Sequence, residues 1–299
     1  MASEMILSVA LVTRNRPEQL ERCLRSLSAA AEPPEEVVVS DDSDEAFAPS
    51  TREVAETFGC RYVRGPRRGL YANRNHAASQ CRGTHVRTVD DDHEFPTGHW
   101  RRVRDAIAAD PEAVWVIGEY YGWAQVKEPV PVAPEVQPRG FSLPPRNPDA
   151  SMAISDGATV YPRRVFAENR MLERFVFGSV YLEFGARLKA RGYRIRHLPT
   201  TYIIHHSGPV RSYDLPLVQV QTAFLAAALT YGVYFPSWRA ILECWGYFTL
   251  RALANQVHLL LKGTEACKDR FGMVAWWKTA QLYLHYRALF LSGAWARFT

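Results

Sequence analysis

The chain has 299 residues, of which 47% are hydrophobic and 22% charged, and it carries 36 Lys and Arg against 31 Asp and Glu. This hydrophobicity and the small net charge exclude a disordered chain, and the composition excludes a collagen-like or low-complexity one. Such a length suits one large domain, or one domain with an appendage. The mild basic excess suits an anionic small molecule, a lipid headgroup surface or nucleic acid, and does not choose among them.

Five scattered cysteines show no metal-binding spacing, which predicts reduced thiols in a cytoplasmic protein. The apolar start at residues 5–12 lacks a basic leader and a cleavage site, so we predict a buried strand there. We find no uninterrupted apolar run of about 18 residues, the length that a transmembrane helix needs. We expect a soluble protein, or a peripheral protein that binds the inner face of the cell membrane without entering the bilayer.

The first 120 residues alternate between strand and helix patterns. We predict strands at residues 6–12, 36–40, 60–64, 86–89 and 114–117, and helices that begin near Pro17, Ser50, Gly69 and Thr97. This alternation is typical of a largely parallel sheet covered by helices on both faces. Ligands of such sheets bind beyond the carboxyl ends of the strands.

The second half of the chain is less regular. Seven prolines crowd residues 127–149, which excludes a regular helix or a central strand there. We then predict a helix from Pro162, a helix at 180–191 and a strand at 193–204. From Ser212 onward only helical patterns are found.

Three aspartates, Asp90, Asp91 and Asp92, directly follow a predicted buried strand. Two carboxylates spaced in this way can share one divalent cation, and Mg²⁺ or Mn²⁺ prefers oxygen ligands and leaves positions for substrate phosphates. A solvated acidic turn has the same sequence, so the motif alone does not decide. Its place at the carboxyl end of a strand favours a metal site.

A second acidic turn, beginning at Asp41 and Asp42, follows the second predicted strand. A carboxylate there can accept hydrogen bonds from a base or a ribose, although a helix cap or Asx turn uses the same residues. Arg74 lies one turn into the helix after Gly69, a position that suits contact with a diphosphate. An ordinary surface arginine is the alternative.

Two residues late in the chain add further polar chemistry. His205 ends the last predicted strand, where a neutral imidazole could complete the coordination of a metal. Glu183 lies in the predicted helix at 180–191, where a carboxylate near an acceptor hydroxyl could act as general base. A packed histidine and an exposed helical glutamate are the commoner cases, so both hypotheses depend on the neighbouring motifs.

Taken in order, these motifs resemble those of family 2 glycosyltransferases with the GT-A fold. They are the strand into residues 12–16, the turn at 41–44, the segments 69–75, 89–92 and 187–195, and Pro199 followed six residues later by His205. The resemblance covers about two thirds of the chain, residues 5–207. It implies an α/β fold of GT-A (Rossmann-like) type, with a mostly parallel sheet flanked by helices.

The resemblance also implies an activity. A sugar would pass from a UDP-, GDP- or dTDP-linked donor to an acceptor hydroxyl, with inversion and with the help of Mg²⁺ or Mn²⁺. The acceptor, a lipid-linked saccharide or a small molecule, stays open. The product would belong to cell-surface polysaccharide, glycolipid or glycosylated natural-product synthesis.

The site residues that the resemblance implies surround this donor. Thr13 and Arg14 would line the base pocket, and Asp41 or Asp42 would contact the base. Arg74 and Asp91 would lie on the nucleotide-sugar side. Asp90 would meet the ribose, or the metal through water, while Asp92 would ligate the metal and His205 would provide a further metal or diphosphate contact.

The chain departs from the family at one important place. Members often carry a Glu-Asp pair where this chain has Val180 and Tyr181. Glu183 is the remaining carboxylate of that helix and therefore the predicted general base. Asp156, which precedes Gly157 on the acceptor side, is the reserve candidate.

Aromatic and basic residues alternate in the tail. Five of the eight tryptophans lie there, interleaved with arginines and lysines. Amphipathic helices of this kind can lie in a bilayer interface. Packing against the catalytic domain, or homodimer formation, is the alternative, and it is the commoner case for aromatic stripes.

The predicted organisation is a GT-A catalytic domain at residues 1–211 followed by a helical region at 212–299. The domain divides into a nucleotide-sugar-binding half at 1–120 and an acceptor-side half at 121–211. A nucleotidyltransferase is one rival, although it would want a glycine-rich loop after the first strand, where this chain has none. A non-catalytic nucleotide-sugar-binding or scaffold protein is the other. Dispersed basic residues argue against nucleic-acid binding.

Overall fold

The computed structural model describes residues 5–121, 135–140, 142–143, 147, 152–206, 215–262 and 269–297. The strands among them are β1 Leu7–Thr13, β2 Glu36–Asp41, β3 Arg61–Arg64, β4 His85–Asp90, β5 His93–Glu94, β6 Val114–Tyr121, β7 Glu135–Val136, β8 Ser142–Leu143, β9 Thr159–Pro162 and β10 Ile195–His205. The α-helices are α1 Pro17–Ser28, α2 Ala48–Thr57, α3 Leu70–Gln80, α4 His99–Ala109, α5 Arg164–Glu168, α6 Val180–Ala190, α7 Pro216–Leu229, α8 Trp238–Lys262 and α9 Met273–Leu291. A π-helical turn, Thr230–Tyr234, continues α7.

Eight of the ten described strands form a mixed sheet in the order β3-β2-β1-β4-β9-β6-β10-β5, and β7 pairs with β8 in a separate two-stranded sheet. The β1, β2, β3 and β4 strands pair in parallel, as does β6 with β10. β9 runs antiparallel between β4 and β6, and β5 is antiparallel to β10. The predicted α/β sheet is therefore confirmed, with two antiparallel strands that the sequence patterns did not reveal.

Hydrophobic periodicity explains how helices cover this sheet. Every residue of β1 is buried, because the strand lies inside the sheet and is covered on both faces. In α1, Leu20, Leu24 and Leu27 lie at three- and four-residue intervals and pack in the same core cluster as Leu11 of β1. The sheet and its covering helices thus form one rigid support for the loops at its edge.

Strand register brings the acidic motifs to one edge. Thr13 at the end of β1 pairs with Asp41 at the end of β2, and Val12 pairs with Asp90 at the end of β4. Because these strands are parallel, their carboxyl ends and the following loops meet there. Both acidic turns therefore follow strands that end at the same edge of the sheet.

Several predicted boundaries shift. The second helix begins at Ala48 rather than Ser50, the fourth follows Gly98 rather than Thr97, and the fifth begins at Arg164 rather than Pro162. Pro162 instead ends β9, where a missing backbone N–H is tolerated. Most of the proline-rich segment at 127–149 lies outside the described residues.

The C-terminal helices pack against the sheet-bearing part of the chain. Leu225 and Leu229 of α7 share a core cluster with Phe184 of α6 and with Ile154. The helical stretch Pro216–Tyr234 is long and apolar enough to cross a membrane, but 56% of it is buried inside the protein, as in a core helix. The predicted domain boundary at 211 lies outside the described residues.

Candidate active site

The loop after β4 is anchored by its middle aspartate. Asp91 is fully buried; its Oδ2 accepts a 2.7 Å hydrogen bond from Thr13 Oγ1 and a 3.2 Å hydrogen bond from Arg16 Nε, and its Oδ1 accepts another from Arg16 Nη2. Arg16 Nη1 also donates to Asp92 Oδ2 at 3.1 Å. Burial raises the pKa of Asp91 to about 7, although the charge of Arg16 opposes the shift. Through these hydrogen bonds, Asp91 anchors the loop to Thr13 and Arg16.

His205 lies between two carboxylates. Its Nε2 is 3.4 Å from Asp92 Oδ1, and its Nδ1 is 3.3 Å from Glu119 Oε2 at the other side of the ring. Burial disfavours the charged ring, but hydrogen bonds and charges from both carboxylates outweigh burial and raise the pKa of His205 to about 11. Burial likewise opposes the charge of Asp92, yet His205 holds the pKa of that carboxyl below its ordinary value. The histidine thus carries the positive charge that the acidic loop requires.

A second imidazole lies beside the first. His93 is fully buried, and its ring centroid is 5.1 Å from that of His205. Its Nε2 lies 3.9 Å from Asp90 Oδ2 and 4.0 Å from Asp92 Oδ1, and makes no hydrogen bond to any described residue. Burial, together with the charge of His205, holds the pKa of His93 well below its usual range. His93 is therefore neutral, and because its Nδ1 accepts a 3.4 Å hydrogen bond from the Asp90 backbone N–H, its ring proton lies on Nε2, facing Asp90 and Asp92.

These side chains form the one group of potential metal ligands found in the described part of the chain. One donor atom each from Asp92, His93 and His205 lies within 4.8 Å of the others. Donors around one octahedral ion with bonds of about 2.1 Å lie roughly 3–4 Å apart. The spacing is close to that range, and mixed imidazole and carboxylate donors suit Mn²⁺ and other divalent ions.

A buried arginine joins the loop to the acceptor-side half. Arg74 of α3 is fully buried, with Nη2 2.9 Å from Asp90 Oδ1 and 3.2 Å from Asp156 Oδ1. Tyr71, one turn before it, contacts Asp156 Oδ2 at 3.2 Å and also donates to the Gly178 carbonyl. Burial raises the pKa of Asp156 to about 7; Arg74 opposes this shift, and Asp90 adds to it. Asp156 is thus a carboxylate poised near neutral pH.

Close packing at Gly157 keeps Asp156 beside this loop. A Cβ at Gly157 would lie 2.3 Å from Asp90 Oδ2 and 2.7 Å from His93 Cε1. Any larger residue would therefore push the loop away. We refer to Asp90, Asp92, His93, Asp156 and His205 as the strand-end cluster.

The turn after β2 contains two aspartates with different surroundings. Asp41 accepts hydrogen bonds on both oxygens, from the Ser43 backbone on Oδ1 and from Tyr62 and Arg64 on Oδ2. Asp42 accepts one from the Arg67 backbone on Oδ1, while its buried Oδ2 has no partner among the described residues. Burial raises the pKa of Asp42, although backbone hydrogen bonds and the charge of Arg14 oppose the shift. Of the two aspartates, Asp42 has the capacity to bind a further donor.

The structure does not bring Glu183 to the strand-end cluster. The side chain is 1% exposed in α6 and accepts hydrogen bonds from Arg187 at 2.8 and 3.2 Å and from the Tyr234 hydroxyl at 2.5 Å. Both oxygens are occupied by protein donors, so the expectation of Glu183 as general base has no support from its surroundings. The alternative of an exposed helical glutamate is wrong, because the side chain is buried. Its place in a buried ion pair is structural.

Four residues of the site were not singled out from the sequence: Arg16, His93, Glu119 and Tyr71. His93 directly follows the aspartate run, and this proximity was a usable signal. Arg16 lies just after the first strand, where a side chain can reach a neighbouring loop. Glu119 is brought opposite His205 by the pairing of β6 with β10, which no local pattern reveals.

The sequence profile described as "Glycosyl transferase family 2" matches residues 8–169, more than half of the chain. The chain belongs to glycosyltransferase family 2. It is therefore a glycosyltransferase, and this family assignment confirms the resemblance drawn from the motifs. A search of curated proteins finds no match to the chain.

Several solved structures have a similar fold. The S. aureus TarS fragment 1-349 in complex with UDP-GlcNAc is 17% identical, with a TM-score of 0.61 over 97% of this chain and 92% of that one. GalNAc-T7 with UDP, GalNAc and Mn²⁺ is 16% identical, with a TM-score of 0.63 over 89% and 54%. For the longer S. aureus TarS structure, the identity is 16% and the TM-score 0.56, over 87% of this chain and only 46% of that chain. These likenesses show that the fold is of the GT-A type.

Proposed function

We propose that this glycosyltransferase moves a sugar from a nucleotide diphosphate donor to an acceptor hydroxyl, assisted by Mg²⁺ or Mn²⁺. The observation that carries the proposal is the approach of Asp92, His93 and His205 to within 4.8 Å at the carboxyl edge of the sheet. Ligands of open α/β sheets bind at this edge. TarS with UDP-GlcNAc and GalNAc-T7 with UDP and Mn²⁺ share the fold and bind such ligands.

The donor nucleotide would lie over the ends of β1 and β2. The unpartnered Asp42 Oδ2 could accept an N–H from the base, and Arg14 acts electrostatically on the same carboxylate. The hydrogen bond from Thr13 to Asp91 fixes the protein surface between the nucleotide base and the loop after β4. Asp41 is saturated by protein donors, so Asp42 is the better candidate for the base contact.

The cation would be held by Asp92 and His205, with His93 as a further ligand. The carboxylate oxygens fit such a cation, and His93 would join them through Nε2 once its ring proton moves to Nδ1 and the hydrogen bond from the Asp90 backbone opens. When bound, the cation would neutralise negative charge that builds on the departing diphosphate. His205 would first give up its proton, because an imidazole ligates through a neutral nitrogen. Asp90, held by Arg74, would face the ribose or a metal-bound water.

Asp156 is our candidate for the general base of an inverting transfer. Its pKa near 7 lets the carboxylate accept a proton from an attacking hydroxyl at physiological pH. The Tyr71 hydroxyl, 3.2 Å from Asp156 Oδ2, and the charge of Arg74 hold the carboxylate in one orientation. A direct displacement on the anomeric carbon by the activated hydroxyl would invert its configuration.

The acceptor would enter beside Asp156. Tyr71 joins Asp156 to the carbonyl of Gly178, and Gly178 lines a cavity of about 380 Å³ whose surface is mostly apolar, with Phe177, Val220 and Phe248, but also includes Arg139 and Arg251. This mostly apolar lining suits an acceptor that carries an apolar group beside its hydroxyl, such as a lipid-linked saccharide. We propose that the protein acts in the cytoplasm in the synthesis of such glycoconjugates.

A donor hydrolysis screen tests this function. The protein would be incubated with UDP-, GDP- and dTDP-sugars in the presence of Mn²⁺, Mg²⁺ or EDTA, and release of the nucleoside diphosphate measured. We expect one nucleotide class to be hydrolysed with either ion and not with EDTA. Equal hydrolysis with EDTA would refute the role of the cation, and no hydrolysis or binding of any donor would refute the proposed donor class.

A further inference from the structure

Exposed apolar side chains are concentrated on two helices. Of the fifteen large hydrophobic residues that are exposed in the described part of the chain, eleven belong to α8 and α9. Soluble proteins rarely concentrate large exposed apolar side chains in this way without a partner. The eleven residues are Trp238, Leu242, Leu250, Leu253, Val257, Leu260, Leu261, Val274, Trp277, Leu284 and Leu291.

The seven exposed residues of α8 form a stripe along one side. At 100° per residue they fall within an arc of about 140°. Cys244, Phe248 and Ala252 occupy the opposite side and are buried, with Phe248 stacked on Phe224 of α7 at 4.5 Å. Unlike a solvated surface helix, α8 is therefore apolar on two sides: its inner side packs on protein, and its outer side carries exposed apolar residues.

The α9 helix repeats this arrangement. Val274, Trp277, Leu284 and Leu291 are spaced by three and seven residues and lie on one side, with 58–69% of each side chain exposed. Ala275 and Thr279 are buried on another side, and Trp276 packs against Trp245 of α8. We call the exposed stripes of α8 and α9 together the outer face.

The charges on these helices are mostly positive. The two segments contain five Lys and Arg and one acidic residue, Glu243. Glu243 is paired with Arg139, and the guanidinium of Arg239 lies 5.1 Å from the Trp238 ring. Lys278 and Arg287 are exposed on α9, which has no acidic residue. Apolar stripes flanked by cations and tryptophans match the chemistry of an anionic bilayer surface.

We infer that the outer face docks on a membrane surface that contains anionic lipid. A second copy of the chain fits less well, because a two-fold interface would bring together two copies of the same net positive surface. The docking is peripheral, because Pro216–Tyr234 is the one described helix that is long and apolar enough to span a bilayer, and α8 and α9 are not. This inference rests on the surface alone and does not depend on the proposed transferase chemistry.

Vesicle flotation of the full chain tests the docking. We would use vesicles of phosphatidylcholine alone and of an equal mixture with phosphatidylglycerol. The double variant Leu250→Glu and Trp277→Glu should lower partitioning to the mixed vesicles by at least about tenfold, since burial of either side chain is lost. The matched control, Ile6→Glu with Phe47→Glu, changes two exposed apolar residues outside the outer face and should float like the parent protein.

Charge reversal provides a second arm. Lys278→Glu with Arg287→Glu should reduce binding to mixed vesicles by about fivefold or more per cation, and should leave binding to pure phosphatidylcholine unchanged. If the glutamate variants lower the unfolding temperature, Leu250→Gln with Trp277→Gln replaces them. Donor hydrolysis without vesicles should be the same in all these variants, so failure of docking and failure of the transferase proposal are separate results.

Two outcomes would overturn the inference. One is a parent protein that does not float with either vesicle. The other is a parent protein that forms a dimer in solution, which Leu250→Glu with Trp277→Glu dissociates, with equal flotation of parent and variant. Flotation that is lost with the outer-face variants and kept by the control supports it.

Discussion

Two buried groups of charged residues differ in how fully the protein satisfies them. In α6, both oxygens of Glu183 accept hydrogen bonds from Arg187 or Tyr234, within a core that seals them from solvent. In the strand-end cluster, carboxylates and imidazoles lie 3.4–4.0 Å apart, and His93 Nε2 makes no hydrogen bond to described residues. A saturated carboxylate positions a helix, whereas an unsatisfied cluster retains the capacity to bind a ligand.

The largest expected effect comes from removing a carboxylate from the strand-end cluster, which tests whether that cluster binds a cation. Asp92→Ala should lower metal-dependent donor hydrolysis by about 10³-fold, because stabilisation of the leaving diphosphate by a cation is worth several kcal/mol. Hydrolysis rates at saturating Mn²⁺ measure the effect. Asp105→Ala, an exposed aspartate of α4, is the control and should keep parental activity. Parental activity in Asp92→Ala would show that the cluster does not bind the cation.

The assignment of the base is tested by a second pair of variants. Asp156→Asn should lower sugar transfer to an acceptor by about a hundredfold or more, since general base catalysis contributes at least this much. Donor affinity, followed by calorimetry, should change little. Glu183→Gln should retain transfer at a temperature at which it is folded. Loss of transfer in folded Glu183→Gln, with activity kept in Asp156→Asn, would restore Glu183 as the base.

A mutation in the buried Glu183–Arg187 pair of α6 should lower the stability of the protein rather than its transfer activity. Glu183→Gln leaves the fully buried Arg187 without a counter-charge, so the free energy of unfolding should fall by about 3–5 kcal/mol. Denaturant titration measures this change. Glu56→Gln breaks an exposed pair with Arg52 at the same spacing and should leave the free energy of unfolding nearly unchanged. Equal small losses in both variants would mean that the α6 pair is not a structural anchor.

The pH dependence of transfer gives a smaller and finer test. The pKa of Asp156 is raised to about 7, so the carboxyl is protonated and inactive as a base below that pH. The transfer rate should rise about tenfold per pH unit up to pH 7 and then level off. In Asp156→Asn the residual rate should lose this rise. A rise that persists unchanged in the variant would assign it to another group.

Local patterns predicted much of the fold. The buried strand β1, the amphipathic α1 and the acidic turns follow directly from apolar periodicity and from residues that end strands. β9 was missed because four residues that end in proline carry too little signal, and β5 because it consists of two residues. Both segments become strands because they pair with strands that are distant in the sequence.

The site was predictable to the extent that its residues lie in consecutive motifs. Asp90, Asp92, Arg74 and His205 were expected near one another, and the structure places them together. Glu183 could not be assigned from the sequence, because its partner Tyr234 lies 51 residues away and only packing shows that the pair is buried. The distinction between Asp41 and Asp42 likewise depends on Tyr62 and Arg64 from a neighbouring strand.

The most direct test of the central claim is a crystal structure with Mn²⁺ and a bound nucleoside diphosphate, in which anomalous scattering locates the ion. The claim predicts one peak within coordination distance of Asp92 and His205, next to His93, with the diphosphate completing its ligands. A bound nucleoside diphosphate with no peak at these residues, or a peak elsewhere on the chain, would contradict it.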